Sequence, residues 1–172
     1  MPLVQTRGAA SAQGFGEFAQ AAAIPQYIED LFSTYLYAGN SSTQTITNNL
    51  DLSNKGGLVW IKQRSAGDHV LMDTVRGANY YLQSNAISAS TFNAVPLTPF
   101  TSTGFDINVP YGNWNASGTK YVSWTFREQP KFFDIVTYSG TGSTRTVPHN
   151  LGSVPGCMII KAISGTGADA EG

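Results

Sequence analysis

The chain has 172 residues, of which only 12% are charged, and its formal net charge is −1. So few basic side chains argue against a nucleic-acid binder, which sets many Lys and Arg against phosphates, and against electrostatic attachment to an anionic bilayer. An aromatic share of 12% beside 18 Gly and 8 Pro favours many short strands joined by turns, with enough apolar surface for one ordinary domain and its core.

The first stretch, "MPLVQTRGAASAQGFGEFAQAAA", mixes Ala, Gly and Ser with two isolated aromatics and has no clean period. It reads as an extended arm over residues 1–23, with Phe15 and Phe18 as docking side chains for a groove on a partner; the bland alternative is a frayed terminus. It contains no continuous apolar core of signal-peptide length, and no segment of the chain approaches a membrane span, so synthesis in the cytoplasm of a host cell is expected. In "IPQYIEDLFSTYLYAG" the apolar positions Ile24, Tyr27, Ile28, Leu31, Phe32 and Leu36 match the i, i+3, i+4 stripe. The spacing predicts a short amphipathic helix over 24–36, with Pro25 in its first turn, packed either onto the sheet or against sister chains, and with Tyr27 and Leu31 as its docking side chains.

From Tyr37 the period changes to two. "TQTITNNL", "GGLVWIKQRS", "HVLMDTVRG", "YYLQSN" and "TGFDINV" read as strands between turns, and "KYVSWTFRE" has the cleanest alternation. There Tyr121, Ser123, Thr125 and Arg127 form a polar row, and Val122, Trp124 and Phe126 an apolar row. Strands at this spacing predict an all-β fold, an antiparallel β-sandwich over 37–129.

"YSGTGSTRTVPHNLGSVPGCMIIK", Tyr138 to Lys161, repeats "YAGNSSTQTITNNLDLSNKGGLVWIK", Tyr37 to Lys62. The Tyr, Gly, Ser-Thr, Thr, Asn-Leu, Gly and Ile-Lys positions recur in order, at an offset of 138 − 37 = 101 that falls to 161 − 62 = 99 after a two-residue difference in loop length. A period of this size suits a whole sandwich. Residues 130–172 are therefore expected to be the first strands of a second, incomplete copy, in a chain that continues further; the alternative is that these strands complete another domain.

Chemistry is sparse. His149 answers Asn48 in the first copy, so that repeat position does not require an imidazole. Asp68, His69 and Asp73 lie close in sequence, but a calcium loop brings more carboxylates at short spacing, so no metal is expected and Asp73 is assigned to Arg76 across a turn. Cys157, the single cysteine, lies in an apolar run and reads as a small buried hydrophobe. No nucleophile or phosphate-loop motif is present, and neither an enzyme nor a cofactor is expected. "PYGNWNASGTKY" offers one binding possibility: Tyr111 and Trp114 could stack on a sugar while amides bond its hydroxyls. The alternative is a loop aromatic that folds back to cap the sandwich.

The ordered series "LVWIK", "DTVRG", "STGFDI" and "YVSWTFR", followed by "VTYSGTG…HNLG…PG…IIK", resembles a recurrent module of tailed-phage virion proteins, common in tail fibres of marine phages. The resemblance covers about Tyr37 to Lys161 and implies a jelly-roll sandwich of the concanavalin A-like lectin/glucanase kind. It further implies a virion structural protein, commonly a homotrimer, whose N-terminal part docks on adaptor- or nozzle-type tail proteins. Host glycans would be reached through more distal parts. Two alternatives stand beside it: a carbohydrate-binding receptor-recognition module, and a capsid decoration or head fibre protein.

Overall fold

The computed structural model describes residues 26–95, 97–108 and 114–164. Among these residues nine strands follow in chain order: β1 Phe32–Ala38, β2 Gln44–Thr47, β3 Gly57–Gln63, β4 His69–Asp73, β5 Tyr80–Gln83, β6 Thr91–Phe92, β7 Phe100–Thr101, β8 Gly104–Ile107 and β9 Lys120–Arg127. They form a six-stranded sheet in the order β1-β9-β3-β4-β5-β6 and a three-stranded sheet in the order β2-β8-β7, all pairs antiparallel. The protein is thus an antiparallel β-sandwich, as its alternation predicts.

The core gathers Val59, Ile61, Val70, Met72 and Tyr121 from the large sheet and Ile46, Phe105 and Ile107 from the small one, with Leu50, Leu52, Leu97 and Trp114 closing its ends. A polar tie crosses this core: the Asn48 amide donates to the Thr125 hydroxyl at 2.9 Å, and the Asn48 side-chain oxygen accepts from Leu50 N at 3.2 Å. Because these buried groups satisfy one another, they cost little and fix how the two sheets sit. Gly57 shows how close the strands run. A Cβ there would fall 2.2 Å from the carbonyl oxygen of Phe126 and 2.7 Å from Leu52 Cδ2, so the β3–β9 approach requires glycine.

The expected helix over 24–36 is not formed. A 3-10 turn spans Ile28–Asp30, where Asp30 accepts a bond from Tyr27 N at 3.3 Å, and the chain then enters β1. The apolar spacing satisfied a helical stripe, but Phe32–Tyr37 is rich in aromatic and hydroxyl side chains that suit a strand. Pairing with β9 over seven consecutive positions, Phe32 opposite Phe126 through Ala38 opposite Lys120, supplies backbone partners that a marginal thirteen-residue helix could not outbid. The sandwich consequently begins before Tyr37.

The facing of β9 is also opposite to what its polarity suggests. Tyr121, Ser123 and Thr125 are fully buried toward the small sheet, whereas Val122, Trp124 and Phe126 lie half-buried on the outer face. Register decides this. Directly opposed residues share a face, and β9 sets Thr125 against Val59 and Ser123 against Ile61, both core residues.

Candidate functional site

Trp114 is 3% exposed and does not offer a ring to a sugar. It packs on Tyr81 with centroids 5.2 Å apart, and its carbonyl accepts a 2.6 Å bond from the Tyr37 hydroxyl. Next to it, fully buried Asn115 donates to Ser42 O at 2.6 Å and accepts from Asn40 N at 3.2 Å and from the Gln44 side chain. This segment therefore latches the β1–β2 connection to the end of the core. The sugar-stacking expectation fails for Trp114 because burial of a large ring outweighs its exposure beside polar neighbours. Its proposed companion Tyr111 lies outside the described residues.

Burial of the Tyr37 ring, with Tyr121 stacked 5.2 Å away, pushes the Tyr37 hydroxyl far above the usual tyrosine range. It acts as a donor to a backbone carbonyl and not as an acid.

Asp68, His69 and Asp73 do not converge. Asp68 accepts from the side chains of Gln83 and Asn85, and Asp73 sits at the far end of β4, about 13 Å along the strand from His69 at ~3.3 Å per residue. Asp73 pairs with Arg76, as the sequence suggests, but the pair is buried: its side chains are 6% and 8% exposed. Asp73 accepts from Arg76 Nε at 2.6 Å and from Arg76 N at 2.8 Å, while Arg76 also reaches Leu71 O at 3.0 Å and Ser90 Oγ at 3.3 Å. Among the described residues no group of three or more His, Cys, Asp or Glu side chains is placed to hold a metal ion.

Of the docking residues, Tyr27 is 58% exposed, Leu31 is only 6% exposed, and Phe15 and Phe18 lie outside the described residues. Leu31 is therefore a packing residue at the start of the sandwich and leaves the docking set. A cavity of about 200 Å³ lies between the sandwich and the segment after it, lined by Lys55, Glu128, Gln129, Phe133, Asp134 and Asn150. Burial first, then the neighbouring Asp134 and Asp73 charges, raises the Glu128 carboxyl above its ordinary value.

Two apolar surfaces have no sequence-level assignment. On the outer face of the large sheet, Trp60 meets Trp124 edge-on at 5.5 Å, and Phe126 touches both Phe32 at 4.9 Å and Phe133 at 5.2 Å. Beyond the sandwich, Val154, Met158, Ile159 and Ile160 are 93%, 74%, 73% and 73% exposed, and Cys157 is exposed with them. The expectation of a buried Cys157 fails because, among the described residues, no side chain covers that run. The row on the outer face was legible as the Val122/Trp124/Phe126 alternation once the opposite face is taken as core; the open run was legible only as a repeat.

These features define an all-β domain that carries exposed apolar surface. The chain belongs to the DUF7483 family, a domain of unknown function, whose model matches residues 28–170 and so spans both the sandwich and the segment after it. No curated protein and no solved structure is significantly similar to it.

Proposed function

We propose that the chain is a structural component of a phage virion: the N-terminal part of a tail fibre, attached to the tail through residues 1–23 and associated with sister chains as a trimer. The observation that carries the reading is the distribution of open apolar surface. Among the described residues β1 is the outermost strand of the large sheet, seven residues long and without a charged side chain, with Tyr35 and Leu36 37% and 60% exposed. Free-standing proteins blunt such edges with charge, proline or a bulge; subunits of assemblies leave them open for pairing. The exposed run Val154–Ile160 adds a second surface of the same kind. The motifs of the phage-type module, "LVWIK" and "YVSWTFR", form the adjacent strands β3 and β9 at the centre of the large sheet, which supports carrying the resemblance over to this chain.

The carbohydrate-binding alternative has lost Trp114 to the core. The experiment for the virion reading is deletion of residues 1–23 in a phage that encodes the protein, followed by imaging of particles and by near-UV circular dichroism of the purified variant. A folded sandwich missing from particles is the expected result. Normal incorporation of the truncated chain would refute attachment through the arm, and density on the capsid instead of the tail would select the head-fibre alternative.

A further inference from the structure

After β9 the chain reverses at once. Gln129 N donates to Phe133 O at 3.0 Å, and Phe132 N and Phe133 N both donate to Gln129 O at 3.1 Å. The turn contains Lys131, whose φ of 67° lies in the left-handed region. It sets Phe133 against Phe126 and begins a segment that forms no strand among the described residues. Without a ladder to hold it, such a segment opens more readily than the sheets.

The cavity of about 200 Å³ lies at the root of this segment and has a carboxyl group on each side. Glu128, just past β9, belongs to the sandwich. Its N–H donates to Gly56 O at 3.0 Å, and its side chain lies so close that a Cβ on Gly56 would fall 2.9 Å from Glu128 Oε2. Glu128 Oε1 is shielded from solvent and has no hydrogen-bond partner. Asp134 belongs to the segment and ties two parts of it together, accepting from Ile135 N at 3.1 Å and from Asn150 N.

The surrounding charges leave Glu128 without a partner. Lys55 lines the cavity, yet among the described residues it forms no ion pair with Glu128. Asp73 is already paired with Arg76. The Arg127 guanidinium turns to Gln26 Oε1 at 3.2 Å and Gln129 Oε1 at 3.4 Å, and Lys131 is exposed. His149 Nδ1 is taken up within the segment, where it accepts from Leu151 N at 3.2 Å.

An ionised carboxylate with a shielded, unpartnered oxygen opposite a second carboxylate is costly. It is relieved by a proton, or by water that enters when the segment lifts. We propose that Glu128 is a proton-operated latch on the segment after the sandwich. Protonated, it lets the loop that carries Asp134 and Asn150 close on the sandwich; ionised, it drives that loop off and frees the Phe126 ring from Phe133. Burial first, then the Asp134 and Asp73 charges, raises the Glu128 carboxyl in the closed form. Closure is therefore fully present below the ordinary carboxyl range and is lost as pH rises through the closed-form value. The latch operates whether or not the chain is a virion component.

Amide hydrogen exchange of the full chain, corrected for the intrinsic pH dependence of exchange, tests it. Lys131 N donates to Leu151 O at 2.8 Å and Asn150 N donates to Asp134, so both amides report closure. Their protection should fall roughly threefold or more from about pH 5 to about pH 8, while the amides of β3 keep theirs. E128Q keeps the shape and cannot ionise, so its protection should persist at the higher pH. H149N should keep the wild-type dependence, because Asn48 at the same repeat position accepts from Leu50 N as His149 does from Leu151 N, without titrating. Flat protection in the wild type, an E128Q profile that falls like it, or a dependence lost in H149N would each overturn the proposal. So would an equal loss in β3, the mark of global unfolding. The wild-type profile can refute the latch by itself, whatever the variants do, and no outcome depends on attachment to a tail.

Discussion

Replacing Arg76 by Met tests how the sandwich tolerates charge in its interior. The substitution keeps most of the side-chain length and removes the guanidinium. Asp73, 4% exposed, would retain the 2.8 Å bond from the backbone N–H of residue 76 but lose the Nε donor, the ion pair and its compensating charge. The carbonyl of Leu71 and the hydroxyl of Ser90 would lose a donor in the same step. Breaking one side of a buried pair costs about 3–5 kcal/mol, against ~0–1 for an exposed pair, and the 6% and 8% exposure of these side chains assigns them to the first class. Such a loss is a large part of the ~5–15 kcal/mol that holds a domain together. At roughly 4 °C per kcal/mol for a domain of this size, the melting temperature should fall by about 12–20 °C. Urea melts followed by the fluorescence of Trp60, Trp114 and Trp124 measure it, since all three indoles lie in the sandwich. The double variant D73N/R76M should be more stable than R76M alone, because no charge is then left buried without a partner. A loss under about 1 kcal/mol for R76M, or a double variant worse than either single one, would refute the reasoning.

Three further outcomes are expected. G57A should lose about 2–3 kcal/mol by denaturant melting, since a backbone carbonyl blocks the added methyl, whereas G156A in the same chain should stay within ~0.5 kcal/mol; equal effects would contradict the difference in their surroundings. W114A should cost about 3–5 kcal/mol through loss of a buried ring, measured by thermal melting, and an unchanged melting point would return Trp114 to the surface. Glu128 is raised above its ordinary 4.5, so the folded state holds this proton more tightly than the unfolded chain, and stability falls as pH rises through the window between the two values. E128Q should remove that slope and be the more stable protein at pH 7; identical pH profiles of the two in urea melts would refute this.

The alternation of "KYVSWTFRE" is enough to specify a strand, because period two belongs to the covalent geometry of an extended chain. It does not specify a face. Ser123 and Thr125 go inward because the register with Val59 and Ile61 carries them there, and register is a property of the pair. The residues from Ile24 to Leu36 make the same point about type of element. Their spacing fits a helix locally, but a seven-position pairing with β9, distant in sequence, makes β1. Trp114 and Cys157 were misplaced for a related reason: burial depends on what lies opposite, and neither the core end that receives Trp114 nor the emptiness around Cys157 is written near them in the chain. What the sequence by itself determined was the all-β class and the Asp73–Arg76 pairing, both of which rest on local pattern. Tertiary structure alone decided which face is core, that the ion pair is buried, and that Val154 and Met158–Ile160 lie exposed, because each is settled by contacts between segments far apart in the chain.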